Sequence, residues 1–301
     1  MNSTIPQRPF GKTGHLSSRI VFGGALFKPS NEADAEKVLN LLREYGVNHL
    51  DTSITYGNSE KLIGKWMRNY RREFFLATKI DARTYTEARA ELDTSLRDLQ
   101  TDQVDLLQMH ELVEDADTDT FLSPKGALRV LTEAKEQGLA RFVGVTSHGF
   151  NAPRILQRCL REYPFDSVLL PFNYALSVHP RYRPEFDALV KVCAERGIAV
   201  QTIKSIARGA WGQTPRNRGT WYQPLENPGD IARAVHFVMS FENLFLASAG
   251  DIDLLPLVLK AAAAYAEAPA AAELEQMVAR LGIAVIDQNQ WPRLWGEHGA
   301  F

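Results

Sequence analysis

Eight apolar runs of strand length recur between residues 19 and 250, and a helix-like segment follows each one. The runs are RIVFGGA (19–25), NHLDTS (48–53), FFLATKI (74–80), VDLLQMH (104–110), ARFVGVTS (140–147), SVLLPFN (167–173), IAVQTIK (198–204) and NLFLASAG (243–250). Between them lie stripes with apolar residues three and four apart. Examples are Val38, Leu39, Leu41 and Leu42; Leu92, Leu96 and Leu99; Leu128, Leu131 and Ala134; and Leu189, Val190 and Val192. Parallel neighbours need a crossover helix, so this alternation specifies a parallel sheet. Eight strand-plus-helix units close a barrel. The expected fold class is therefore α/β, a (β/α)8 TIM barrel.

Local signals agree. Asn31, Asn151 before Ala152-Pro153, and Asn227 before Pro228 stand where helices should start. Gly46, Gly138 and Gly197 stand where they should end. No Pro/Ser/Gly-rich linker interrupts the series, which argues for one domain over residues 1–301. Its parts are an N-terminal β-hairpin over about 8–18, a barrel over about 19–265, and a C-terminal helical extension over about 266–301 holding Trp291 and Trp295. The hairpin, RPFGKTG and onward, would plug the barrel bottom.

Composition narrows the partners. With 34 basic against 36 acidic residues the net charge is −2, so no electrostatic footprint for nucleic acid or an anionic membrane is present. Residues 1–9 hold no apolar run of signal-peptide length, and Leu254–Ala272 is broken by Lys260, Glu267 and prolines. Cys159 and Cys193 read as buried small hydrophobes. A cytoplasmic protein is expected. No His/Cys/Asp spacing of a usual metal site occurs, so no metal is expected.

Strand ends carry the chemistry. The second run stops on Asp51 with Tyr56 just beyond, the third on Lys79 and the fourth on His110. In a parallel barrel such ends share one mouth. A free phenol has a pKa near 10 and exchanges protons poorly at neutral pH. A nearby ammonium favours the phenolate, and a carboxylate keeps that ammonium charged and placed. An imidazole beside them can orient a carbonyl or share the proton. Together these groups can protonate a carbonyl oxygen as hydride reaches its carbon.

With those residues in hand, the chain resembles the aldo-keto reductase family. RPFGKTG, RIVFGG, HLDTSITYGNSEKLIGKWMR, FFLATK, VDLLQMH and ARFVGVTSH follow that family's pattern in order over roughly residues 8 to 260. The resemblance implies a catalytic tetrad of Asp51, Tyr56, Lys79 and His110, with Tyr56 as proton donor. It implies NADP(H), the family default, as cofactor, and a small carbonyl or alcohol as substrate. Its cofactor contacts fall on Gly23, Gly24, Asp51, Ser147, His148, Ser205, Arg208, Gly209, Ser248 and Gly250, with Asn173 and Lys204 nearby.

Three positions depart from the family pattern. The nicotinamide amide pair reads His148 and Leu169, where Ser or Asn and Gln are usual. Lys204 stands where many members place a stacking ring. After the eighth run come Asp251 and Asp253 in place of Lys or Arg, which disfavours a 2′-phosphate, suits a 2′-hydroxyl and makes NAD(H) use possible.

Simpler readings sit beside these. Asp51–Lys79 could be a plain salt bridge, Gly23 and Gly24 could serve strand packing, and Arg208 could be a solvated loop residue. Tyr85, Trp211 and Trp221 could line the substrate pocket or merely pack. Competing functions are a catalytically silent cofactor-binding regulatory subunit, which has no need of all four tetrad groups, and a Schiff-base aldolase using Lys204 or Lys79.

Overall fold

The structure, a computed structural model, describes residues 4–27 and 31–286. In chain order the strands are β1 (Gln7–Pro9), β2 (Leu16–Ser18), β3 (Ile20–Gly23), β4 (His49–Asp51), β5 (Phe75–Ile80), β6 (Val104–Leu112), β7 (Ala140–Ser147), β8 (Ser167–Pro171), β9 (Ala199–Ile203), β10 (Ala207–Gly209), β11 (Gln223–Pro224) and β12 (Leu244–Ala247). The helices are α1 (Glu32–Glu44), α2 (Ser59–Tyr70), α3 (Tyr85–Asp98), α4 (Asp115–Leu122), α5 (Leu128–Glu136), α6 (Ala152–Glu162), α7 (Tyr174–Ser177), α8 (Tyr182–Arg196), α9 (Pro228–Met239), α10 (Leu255–Ala263) and α11 (Ala271–Leu281).

Eight parallel strands close a barrel in the order β12-β3-β4-β5-β6-β7-β8-β9, so the (β/α)8 expectation holds. Each of the eight runs supplies one strand. The acidic α4 has no apolar stripe to announce it in the sequence. β1 and β2 pair antiparallel as the expected hairpin. The turn between them carries Phe10 into the barrel bottom, 5.5 Å from the Phe75 ring and 5.0 Å from that of Phe245. Within the stretch expected as a C-terminal helical extension lies α11, closed by Gly282 at φ 61. Trp291 and Trp295 lie outside the described residues. Among those described, no helix is long and apolar enough to cross a membrane.

Strand side chains alternate between two faces, and this alternation places the site. Phe75 and Ala77 of β5 and Leu106 of β6 belong to the small apolar cluster inside the barrel, whereas Leu76, Ile80, Leu107 and Met109 pack outward under the helices. By the same parity Lys79, Gln108 and His110 face inward. The inner rows therefore read Phe75-Ala77-Lys79 and Leu106-Gln108-His110, apolar at the bottom and polar toward the C-terminal mouth.

Candidate active site

Asp51 ends β4, and its carboxylate is gripped from two strands. Lys79 Nζ donates to Oδ2 at 2.6 Å and to the Thr52 carbonyl at 2.8 Å, while Gln108 Nε2 donates to Oδ1 at 2.7 Å. Gln201 of β9 extends the row by donating to Gln108 Oε1 at 3.1 Å. Lys79 is 1 % exposed, a burial an ammonium tolerates only when paired. Burial pulls it below its usual value, and Asp51 opposes that through charge and hydrogen bond.

Above this row stand Tyr56 and His110. Lys79 Nζ lies 5.0 Å from the centroid of the Tyr56 ring, and the His110 ring meets that ring edge-on at 5.7 Å. The structure thus gathers Asp51, Tyr56, Lys79 and His110 at one mouth. The tyrosine departs from expectation in one respect: its phenol is held well above its usual value near 10 instead of being drawn down. Burial is the chief cause, and the Asp51, Glu111 and Asp81 carboxylates add to it. The Lys79 charge, largely neutralised by Asp51 at 2.6 Å, does not offset them.

Asp81 and Glu111 escaped the sequence reading. His110 Nδ1 lies 3.0 Å from Asp81 Oδ1, and the ligand-capable atoms of Asp81, His110 and Glu111 lie within 4.8 Å of one another. Strand pairing brings these three side chains together, although their spacing in the chain does not announce it. The signal available was parity, since Asp81 sits two residues past Lys79. Glu111 adopts φ 55 with its N–H bonded to Thr146 Oγ1 at 2.7 Å.

Next to His110 round the mouth stand His148, Lys204 and Trp221. The His148 ring lies 5.2 Å from Trp221 and 6.1 Å from His110, and Lys204 Nζ is 5.3 Å from the Trp221 centroid. Burial drives both His148 and Lys204 well below their usual values; Glu111 partly counters this for Lys204. Lys204 takes φ 65, a strained conformation for a side-chain-bearing residue.

The remaining candidates divide. Gly23 and Gly24 are required by packing, because a Cβ would stand 2.6 Å from the Ser248 carbonyl or 2.7 Å from Ser59 Oγ. Ser248 Oγ accepts from Gly23 N–H at 3.0 Å, and Ser147 Oγ donates to the Leu112 carbonyl. Asn173 caps α7, accepting from Leu176 N–H at 3.0 Å and donating to the Lys204 carbonyl at 3.1 Å. Ser205 is buried beside them, and Leu169 is a buried β8 residue. Arg208 is tied to the end of α11, its Nε donating to the Leu281 carbonyl at 2.8 Å and its carbonyl accepting from Ala284 N–H at 2.9 Å. Two pocket candidates are corrected. Tyr85 points to the outer layer, bonding Glu133 of α5 at 2.7 Å. Trp211 is a buried packing residue whose Nε1 donates to the Thr220 carbonyl at 2.8 Å.

At the start of α10 Asp251 is consumed by backbone. It accepts from Gly219, Asp253 and Leu254 N–H groups at 2.8, 3.0 and 3.2 Å. Asp253 instead faces Arg218 at 3.3 Å, and Arg218 also pairs with Glu226. Cys159 and Cys193 are buried free thiols pushed up to about 12, hence unreactive.

Comparison with known proteins follows the same lines. The aldo/keto reductase family profile matches residues 19–234. L-galactose dehydrogenase of Arabidopsis thaliana is 33 % identical over 159 residues, covering 47 % of this chain and 48 % of its own. The chain thus spans about half the length of that relative. An aldo-keto reductase from Bacillus halodurans in its holo form superposes with a TM-score of 0.67 at 20 % identity, over 95 % of this chain and 99 % of its own. One from Klebsiella pneumoniae in complex with NADPH gives 0.65 at 18 % identity, over 94 % and 97 %.

Proposed function

The chain belongs to the aldo/keto reductase family, and from that premise we propose that it catalyses reversible, nicotinamide-dependent hydride transfer between a small carbonyl compound and its alcohol, with Tyr56 as general acid and base. The observation that carries this reading is the Lys79–Asp51 pair at 2.6 Å, buried beneath the Tyr56 ring and beside His110.

A nicotinamide cofactor, when bound, supplies or accepts the hydride. The donor set fits such a group. Lys204 with Trp221, and Ser205, offer an amine donor, a ring face and a hydroxyl on one side of the mouth. Gly209 has open space where a Cβ would stand, so its backbone can be approached closely. Gly23, Gly24, Ser147, His148, Asn173, Ser248 and Gly250 complete the proposed cofactor surface. Arg208 would serve it only by leaving Leu281.

The high phenol value keeps Tyr56 protonated at neutral pH, ready to release its proton only to an oxygen that is gaining negative charge. As that proton leaves, the phenolate forms beside an ammonium. Lys79 then stabilises it, while Asp51 keeps the lysine charged and fixed. In the alcohol-oxidising direction the same pair holds the phenolate that takes the proton back. The low His148 value keeps its imidazole neutral, so it can offer a hydrogen bond without adding charge.

Asp251 and Asp253 favour an adenosine ribose carrying a hydroxyl, so NAD(H) should compete with NADP(H). A screen of sugars, aldehydes, ketones and steroids with each cofactor tests the reading, with Tyr56→Phe as control. Undiminished turnover by that variant overturns Tyr56 as the acid.

One observation favours a second reading. A lysine driven well below its usual value is nucleophilic, and Lys204 is such a residue at the mouth. Borohydride trapping of a carbonyl compound on Lys204 would support Schiff-base chemistry. Absence of an adduct under turnover conditions would exclude it.

A further inference from the structure

We propose that Asp81 is a positioning residue for His110: it fixes the imidazole hydrogen on Nδ1, so that His110 donates to a substrate oxygen through Nε2 only as the imidazolium. The proposal rests on the reductase reading for its consequence in turnover, but the state of the pair is a property of the free protein.

Asp81 follows β5 and is anchored by its backbone, because its N–H and that of Ala82 donate to Glu91 Oε2 of α3 at 2.6 and 2.9 Å. Burial alone would raise its carboxyl, yet the His110 hydrogen bond, the His110 charge and Arg83 outweigh burial and hold it below the usual range. An ionised carboxylate can only accept. The 3.0 Å contact to Nδ1 must therefore contain a hydrogen carried by the ring. A neutral imidazole has one N–H, so its Nε2 is left as a bare acceptor. The second N–H appears only when the ring is protonated, and the resulting cation has its counter-charge already in place.

His110 is 1 % exposed, and an oxygen of each of the Asp81 and Glu111 carboxylates lies within 4.8 Å of one of its ring nitrogens. The Tyr56 and His148 rings, at 5.7 and 6.1 Å, close the remaining sides without charge at neutral pH. His110 would then polarise a carbonyl with a charged hydrogen bond, roughly twice as strong as a neutral one. Carbonyl reduction should use the imidazolium, so its rate should fall as pH rises.

The test has two arms. In 15N-histidine NMR of the cofactor-free protein, assigned by loss of signals in His110→Gln, the neutral His110 ring should show hydrogen on Nδ1. Asp81→Leu should shift it toward Nε2–H. In turnover, Asp81→Asn keeps an acceptor but removes the charge. Its alkaline limb in the pH–rate profile for reduction should move down by about one unit, with kcat at pH 7 lowered about tenfold and cofactor affinity unchanged. A neutral wild-type ring with hydrogen on Nε2, or a limb that does not move in Asp81→Asn, overturns the proposal. If wild type reduces none of the carbonyl compounds, the reductase reading fails, while the NMR arm still decides the tautomer.

Discussion

Gln108 Nε2 donates to Asp51 Oδ1 at 2.7 Å, so the carboxylate that steadies Lys79 is itself steadied from a strand two places away. Gln108→Leu should leave Oδ1 without that donor. A buried acceptor deprived of its partner costs about 1–3 kcal/mol. Urea unfolding should show a loss of that size, and kcat should fall more than cofactor affinity. An unchanged kcat would remove Gln108 from the site's support.

Tyr56→Phe deletes the proton while keeping the ring against Lys79 and His110. Carbonyl reduction should drop by about 10²–10⁴-fold, the usual contribution of a positioned acid. Fluorescence titration should show cofactor binding within about twofold of wild type. A parallel loss of binding would mean that the hydroxyl serves the cofactor instead.

Cofactor choice turns on Asp253 more than Asp251. Asp251 is fixed by three backbone N–H groups, whereas Asp253 neutralises Arg218. Asp253→Ser should leave Arg218 paired with Glu226 alone, remove one carboxylate from the approach of a 2′-phosphate, and shift the NADPH/NADH affinity ratio toward NADPH by up to roughly fivefold, the high end for an exposed charge pair. The wild type should discriminate weakly. A strong NADPH preference unmoved by the substitution would contradict this account.

Glu60 on α2 gives a pH-dependent stability. Burial raises its carboxyl to about 7, with the Thr78 hydrogen bond partly opposing. An acid with a raised folded value binds more protons folded than unfolded between about 4.5 and 7. Its stabilisation is therefore full below about 4.5 and lost as pH rises through about 7. Glu60→Gln, which needs no proton, should exceed wild type in stability at pH 8 by up to roughly 3 kcal/mol and match it near pH 4.5. Equal melting temperatures at pH 8 would refute this.

The barrel bottom works in the opposite sense. Burial lowers His49 well below 6.5, with His15 and Lys79 contributing, and burial likewise lowers His15. Unfolding lets both rings take protons once pH falls below about 6.5, so stability should decline there. His49→Phe should flatten that decline despite losing the 3.0 Å Ser17 contact. A slope identical to wild type would acquit His49.

Much of this was legible in the chain because strand parity and strand ends are local properties. Asp51, Lys79 and His110 could be placed at one mouth once eight parallel strands were counted. Contacts between strands were not legible: the Asp51–Gln108 and Asp81–His110 bonds depend on register, which one strand does not encode alone. Tyr85 was misplaced for a related reason. It opens α3, and which way a first-turn side chain leaves depends on the neighbouring helix, here on Glu133 of α5. The tie between Arg208 and Leu281 joins segments 73 residues apart, with no motif to announce it. The high Tyr56 value escaped because its chief cause, burial, belongs to the assembled mouth, as do the neighbouring Glu111 and Asp81 carboxylates.

The row Asp51–Gln108–Gln201 carries a lesson for anyone who would move this chemistry elsewhere. Copying the four reactive side chains onto another eight-stranded scaffold would transfer the tools without the bench beneath them. In this protein an amide floor from β6 and β9 lies against the β4 carboxylate, and a recipient with leucines at those heights would leave the grafted carboxylate with one oxygen undonated. A working graft therefore has at least six residues, two of which never meet the reactants.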